Sequence, residues 1–185
     1  MQNGYAATTV DAVAEASGIS AATIYKSYGG KVGLIRTLCE NALAGAGPVP
    51  AEERSNAFRT AGDPHEIVGA WGRLAAEVSP RVSPLVLLLR AAAGRDPEAA
   101  ALYAEVDNQR LVRMADNARA LADAGHLRDG VTVAEAADVL WFCTSPETYD
   151  LLVLRRRWTL ERFGQFVTDT IAGSLLEAGS VRTDA

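Results

Sequence analysis

Apolar residues in this 185-residue chain recur at three- and four-residue spacing from Val10 to Leu175, with polar residues filling the intervals. That period is helical, and no stretch alternates apolar and polar residues between hairpin turns, so the chain reads as all-α. Val10, Val13 and Ala14 form a first short stripe that Gly18 ends, glycine being tolerant of the left-handed conformation at a helix C-terminus. Ser20 is a ready N-cap for a second short helix, Ala21 to Tyr28, in which Ile24 and Tyr28 lie four apart and face inward. Ile19 is an apolar residue inside the turn between them. A third helix follows from Lys31 to Leu43, with Leu34, Ile35, Leu38 and Ala42 on one face. The run Gly45-Ala46-Gly47-Pro48-Val49-Pro50 breaks the pattern, and a linker is expected from there to about Gly62.

Longer helices fill the rest. Asp63-Pro64 starts a helix that buries Ile67, Val68, Trp71, Leu74, Ala75 and Val78 and is expected to stop near Ser79-Pro80. Val82 to Ala93 holds the most apolar run and reads as a separate buried helix. Asp96-Pro97 opens a helix to Ala124 that would be roughly 42 Å long, with Leu102, Val106, Leu111, Met114 and Leu121 as its apolar positions. Leu127 to Gly130 reads as a turn. Thr132 caps a helix through Ala136, Ala137, Leu140 and Trp141, which Pro146 must bend or interrupt before Glu147 to Leu154 resumes. Thr159 caps a last helix reaching about Leu176.

The second short helix carries the candidate chemistry. With Ile24 and Tyr28 inward, the residues Ala21, Ala22, Thr23, Tyr25, Lys26 and Ser27 are left for solvent or a partner. Small residues at its start allow close approach, and Thr, Tyr, Lys and Ser donate hydrogen bonds of the kinds that meet phosphates and base edges. No carboxylate interrupts Gly18 to Thr37, although the whole chain carries a net charge of −5. Two short helices joined by a glycine turn, with that outward face, are a helix-turn-helix by spacing and composition.

The segment Gly4-Tyr5, Thr8-Thr9-Val10-Asp11, Ala14, Gly18-Ile19-Ser20, Thr23-Ile24-Tyr25, Tyr28, Lys31 and Leu34 resembles the DNA-binding domain of TetR-family transcriptional regulators. The resemblance covers about the first 40 residues. It implies that Ser20 to Ser27 is the recognition helix, that Ala21 and Ala22 approach base edges, and that Thr9, Thr23, Tyr25, Lys26 and Lys31 meet phosphates or bases. Two departures stand out. Gly29-Gly30 replaces the family's polar or capping pair, and only Met1-Gln2-Asn3 precede Gly4-Tyr5, where the family has a whole helix. The expectation is a headpiece, residues 1–45, lacking the family's first helix, followed by a helical ligand-binding and dimerisation domain, residues 46–185.

Charge and cysteine content narrow the reading. In residues 1–45, Lys26, Lys31 and Arg36 balance Asp11, Glu15 and Glu40, so the acidity lies in the body. A neutral headpiece leaves DNA affinity to a few placed contacts and to dimerisation, not to broad adhesion. Cys39 and Cys143 read as two separate reduced thiols, His65 and His126 are isolated, and no metal site or cofactor is expected. Without an apolar run long enough to span a bilayer or a leader pattern, the chain is expected to be cytoplasmic, with no membrane partner. No Ser-His-Asp set, HExxH, CxxC or glycine-rich phosphate loop appears, so no catalytic residue is assigned and an enzyme is not expected.

Two further expectations concern the body. In the last helix Leu160, Phe163, Phe166, Val167 and Ile171 repeat at three and four residues and are expected, with the helix at 133–142, to form a two-fold four-helix dimer contact. A ligand pocket is expected among the body helices, lined by Trp71, Tyr103, Arg110, Met114, Trp141 and Cys143. Arg155 to Arg157 reads as a solvated loop. The resulting function is a homodimeric repressor released from a double-stranded DNA operator by a small-molecule effector. The competing function is a helical dimeric small-molecule-binding or interaction protein that does not bind DNA.

Overall fold

A computed structural model of the chain describes residues 8–44, 48–60 and 62–177, so Gly4, Tyr5, the absence of a first helix, and Gly45 to Gly47 lie outside the described residues. Three short helices come first: α1 (Val10–Ser17), α2 (Ala21–Tyr28) and α3 (Lys31–Ala44). The Thr9 hydroxyl accepts the Ala12 N–H at 3.1 Å and the Ser20 hydroxyl accepts the Thr23 N–H at 3.1 Å, which satisfies donors that the first turns leave free. Gly18 and Gly29 end α1 and α2 at φ 69° and 73°. Val10, Ala14 and Ile24 form the small core of this unit. Tyr28, expected inward, is instead exposed, as are Ile19 and Leu38. On α3 the buried stripe is Ile35, Cys39 and Ala42.

The expected linker contains a helix, α4 (Ala51–Phe58). Its first turn is acidic, Ala51 and Ser55 are buried, and Arg54 makes a two-pronged pair with Glu77. The Pro and Gly residues that suggested a linker lie just outside its ends.

The two helices expected at 63–79 and 82–93 are one, α5 (Pro64–Ala93), with Pro80 and Pro84 inside it. An interior proline removes a donor and costs about 3 kcal/mol in an isolated helix. Here Ile67, Val68, Trp71 and Ala75 before the prolines and Val86, Leu89 and Ala92 after them are all buried. Keeping both halves in one rod buries both stripes, and that packing offsets the broken ladder.

Then follow α6 (Pro97–Asp123), α7 (Val133–Cys143), the single turn α8 (Pro146–Tyr149), a π-helical turn (Asp150–Arg155) and α9 (Leu160–Leu175). Thr132 and Glu135 form a reciprocal capping box at the start of α7. Pro146 starts a new turn, with Ser145 as its cap. In the π-turn Arg155 reaches Asp150 at 2.7 Å, and Arg155 to Arg157 are exposed. Leu111, read as apolar core, is exposed on α6. Leu127 and Leu176 form an isolated antiparallel bridge that ties the turn after α6 to the end of α9.

The main core joins α5, α6, α7 and α9 around Trp71, Leu121, Leu140, Phe163, Val167 and Ile171. Gly72 and Gly164 bring α5 and α9 into backbone contact. A second cluster packs Ile35 and Cys39 of α3 against Leu89, Ala92, Ala99 and Leu102. Thus α3 is shared between the headpiece and the body.

Candidate functional site

The outward face of α2 is intact in space. Ala22, Thr23, Tyr25, Lys26 and Ser27 are exposed, and Ala21 is half-buried against the headpiece core. Thr23 and Ser20 share a hydroxyl–hydroxyl contact of 2.8 Å, so both are partly engaged in capping. Thr9 is likewise exposed and caps α1. Lys31 differs from the rest. It is half-buried, burial pushes its pKa down, and the nearby Asp96 carboxylate pulls it back up. Its charge therefore already has a neighbour in the body.

The orientation of α2 against α3 is set by close backbone contact. A Cβ on Gly33 would lie 1.6 Å from the Tyr28 carbonyl oxygen, so only glycine permits this crossing. At Gly30, φ is 124°, a conformation side-chain-bearing residues rarely take. The Gly29-Gly30 pair, a departure in the sequence, is thus a tight connection between the two helices.

A cavity of about 230 Å³ opens in the body between α4, α5, α6 and α7. Most of its lining is apolar: Trp71, Leu74, Ala75, Val78, Val82, Val86, Val106, Met114, Leu140 and Ile171. Among its polar lining residues are Ser55, Ser79, Ser83, Asp107, Arg110 and Asn117. Arg110 donates to Asp107 at 3.0 Å and to the Trp141 carbonyl oxygen, and its guanidinium lies 4.6 Å from the Trp141 ring centroid. Burial pushes the Arg110 pKa down, while the hydrogen bond to Asp107 pulls it up. Asn117 accepts from Arg59 Nε at 2.7 Å.

Of the expected pocket residues, Trp71, Arg110 and Met114 line this cavity. Tyr103, Trp141 and Cys143 do not. Tyr103 packs in the cluster under α3, Trp141 stands behind Arg110, and Cys143 is fully buried in the main core. The residues missed were Ser55, Ser79, Ser83 and Asn117. Their signal was a small polar residue on an otherwise apolar helical face.

Residues 1–38 match the family model for bacterial regulatory proteins, tetR family. Over that stretch the chain is similar to the tetR family. No curated protein matches it in sequence. Among solved structures, the SmeT–triclosan complex aligns with a TM-score of 0.72 at 18% identity, covering 94% of this chain and 84% of that one. The TetR-family transcriptional regulator PfmR from Thermus thermophilus aligns at 0.68 and 19% identity, over 95% and 93% of the two chains. The ketosteroid transcriptional regulator KstR2 of Mycobacterium tuberculosis aligns at 0.58 and 18% identity, over 94% and 87%. At these identities the alignments establish that the body shares the fold of TetR-family proteins, not what it binds.

An ion pair crosses from α3 to the body. Arg36 of α3 makes a two-pronged pair with Glu105 of α6, one contact at 2.7 Å. Glu105 directly precedes Val106 and Asp107, which line the cavity. The hydrogen bonds from Arg36 hold the Glu105 carboxyl below its ordinary pKa.

The expected dimer contact needs correction at the level of residues. Phe163, Val167 and Ile171 have no accessible surface, because the Gly72–Gly164 crossing draws their stripe onto α5. A side chain already buried in its own chain has nothing left to bury against a partner. Leu160 is exposed and Phe166 half-buried, with Phe166 edge-on to Trp158 at 5.7 Å.

Proposed function

We propose that this chain is a homodimeric DNA-binding regulator that leaves its operator when a small molecule fills the body cavity. The observation that carries the reading is the carboxylate-free outward face of α2, exposed on a tetR-family headpiece. Residues 1–45 form the DNA-binding unit and residues 46–185 the ligand-binding and dimerisation unit. In the bound state Ala21 and Ala22 approach base edges, while Thr9, Ser20, Thr23, Tyr25 and Lys26 position the helix on phosphates. Lys31 adds a weaker, longer-range attraction.

Dimerisation supplies the second reading head. The surface that supports it includes Phe142, Leu151, Leu154 and Leu160, which are 60%, 53%, 40% and 40% exposed on α7, the π-turn and α9. A stable pair would bury at least on the order of 1,200 Å² and set the two α2 helices roughly 34–36 Å apart. Release follows from linkage: a ligand that favours one spacing over another shifts the population by its differential affinity. The physical route runs from the cavity wall on α6 through Glu105 and Arg36 to α3. That SmeT was solved with triclosan, and that KstR2 is described as a ketosteroid regulator, supports a small organic effector here.

The test is selection of duplexes from a random-sequence pool by the full chain, beside a Tyr25→Ala/Lys26→Ala variant. Enrichment of a two-fold site by the wild type alone is expected. Equal recovery by both proteins would leave a helical ligand-binding protein with no DNA function.

A further inference from the structure

We propose that the effector is an uncharged, elongated molecule, apolar along its middle and carrying a hydrogen-bonding group at each end. This rests on the reading of the body cavity as the effector site and adds the chemistry that site selects.

The length comes from α6. Arg110, Met114 and Asn117 line the cavity from one helix face, and seven residues of helix separate the outer two by roughly 10 Å. Each end is polar. At the Asn117 end, Asn117 and Ser55 are 2% and 3% exposed, and the Asn117 amide reaches the Ser55 hydroxyl at a long 3.5 Å. The carbonyl oxygen of Asn117 already takes one bond from Arg59, leaving a lone pair, and the Ser55 hydroxyl keeps a proton to donate.

At the other end α5 contributes. Counting equal helix lengths back from the short turn after Ala93 puts Ser83 near the level of Asp107 and Ser79 near that of Arg110, and all four line the cavity. Both serines line the cavity at 7% and 3% exposure for Ser79 and Ser83, and among the described residues neither hydroxyl has a hydrogen-bond partner. Since both line it, a ligand atom there can take the hydrogen bonds that solvent would otherwise supply. Between the two ends the wall is Ala75, Val78, Met114 and Leu140, which offers dispersion and no hydrogen bonds, while Trp71 adjoins the Asn117 end and donates its indole N–H to the Ser55 carbonyl oxygen at 3.4 Å.

Charge balance selects neutrality. Both cations in the lining are matched: Arg110 with Asp107, and Arg113 with Glu52. Arg59 does not line the cavity and is held by Asn117. A ligand carboxylate would have to displace Asp107 or Glu52, or lie buried beside them; an ammonium would meet the same difficulty from the arginines.

The experiment titrates the full chain with three rigid probes, read by calorimetry and by the fluorescence of Trp71 and its neighbours. They are 4,4′-dihydroxybiphenyl, whose hydroxyls are about as far apart as the two polar ends, 4-hydroxybiphenyl, and 4′-hydroxybiphenyl-4-carboxylate. The diol is expected to bind about three- to tenfold tighter than the mono-ol, and the carboxylate at least about tenfold weaker than the diol. In Ser79→Ala/Ser83→Ala, which removes no internal hydrogen bond, the diol should lose its advantage over the mono-ol. A carboxylate that binds as tightly as the diol overturns the proposal. So does a diol advantage that survives the double substitution, or a wild-type chain that binds none of the probes. These titrations contain no DNA, so a chain that fails to bind DNA would sink the regulator reading without touching this result.

Discussion

Replacing Gly72 with alanine tests how the body is held together. A Cβ there would sit 2.1 Å from Thr168 Oγ1 and 2.6 Å from the Gly164 carbonyl oxygen. Thr168 can turn away, although it would give up its 3.1 Å bond to the Gly164 carbonyl oxygen. The Gly164 carbonyl oxygen is backbone and cannot. Reaching ordinary contact at 3.4 Å requires α9 to retreat from α5 by several tenths of an ångström. Gaps of about 0.5–1 Å forfeit a quarter to a half of each dispersion contact. The contacts at stake include those of Phe163, Val167, Ile171 and Leu175, all essentially inaccessible to solvent. Overpacking of this kind costs about 1–3 kcal/mol, against which alanine's better helix propensity returns about 1 kcal/mol.

The control is Gly173→Ala on the same helix, where an added Cβ meets nothing within 4 Å. It should gain stability by up to about 1 kcal/mol, so the two variants should differ by about 1–3 kcal/mol in denaturant unfolding followed by far-ultraviolet circular dichroism. Because Ile171 lines the cavity and Trp71 adjoins Gly72, ligand affinity should fall in Gly72→Ala and stay unchanged in Gly173→Ala. If Gly72→Ala is as stable as Gly173→Ala, the α5–α9 crossing does not constrain the fold.

The remaining predictions address the headpiece, the dimer and the thiols. Lys26→Ala should lower the magnitude of the logarithmic salt slope of DNA binding by about 0.9 per lost phosphate contact, and Lys31→Ala by clearly less, because Asp96 already lies near that ammonium; equal slopes for the two variants would place Lys31 on the duplex. Phe142→Glu puts a charge at a side chain 60% exposed and should yield monomers by sedimentation at micromolar concentration while the helical signal stays at wild-type level; an intact dimer would move the interface elsewhere. Burial pushes Cys39 and Cys143 to about 11 from 9.0, with Glu40 adding to the rise at Cys39, so the folded chain holds both thiol protons more tightly than the unfolded one. Their contribution to stability is therefore complete below pH 9.0 and lost as pH rises toward about 11, and both should resist a thiol reagent at pH 8 until the chain is unfolded. Rapid labelling of either thiol in the native state would contradict that burial.

Local rules written in neighbouring residues were legible from the sequence. Ser20, Asp63, Asp96, Thr132 and Thr159 cap the helices they precede, because a cap forms between residues two or three apart. The helix-turn-helix was legible for the same reason, its glycines and its outward face lying within twenty residues. What only the tertiary structure decided was which apolar stripe faces which partner. The stripe Phe163, Val167 and Ile171 is equally suited to a dimer or to the chain's own core, and the meeting of Gly72 with Gly164, more than ninety residues apart, settles it for the core. Pro80 and Pro84 read as a break because proline is costly in an isolated helix, and burial on both sides of them overrode that cost. The cavity belongs to this second class too: Ser55, Ser83 and Asn117 come from three helices, and nothing local in the sequence brings them together.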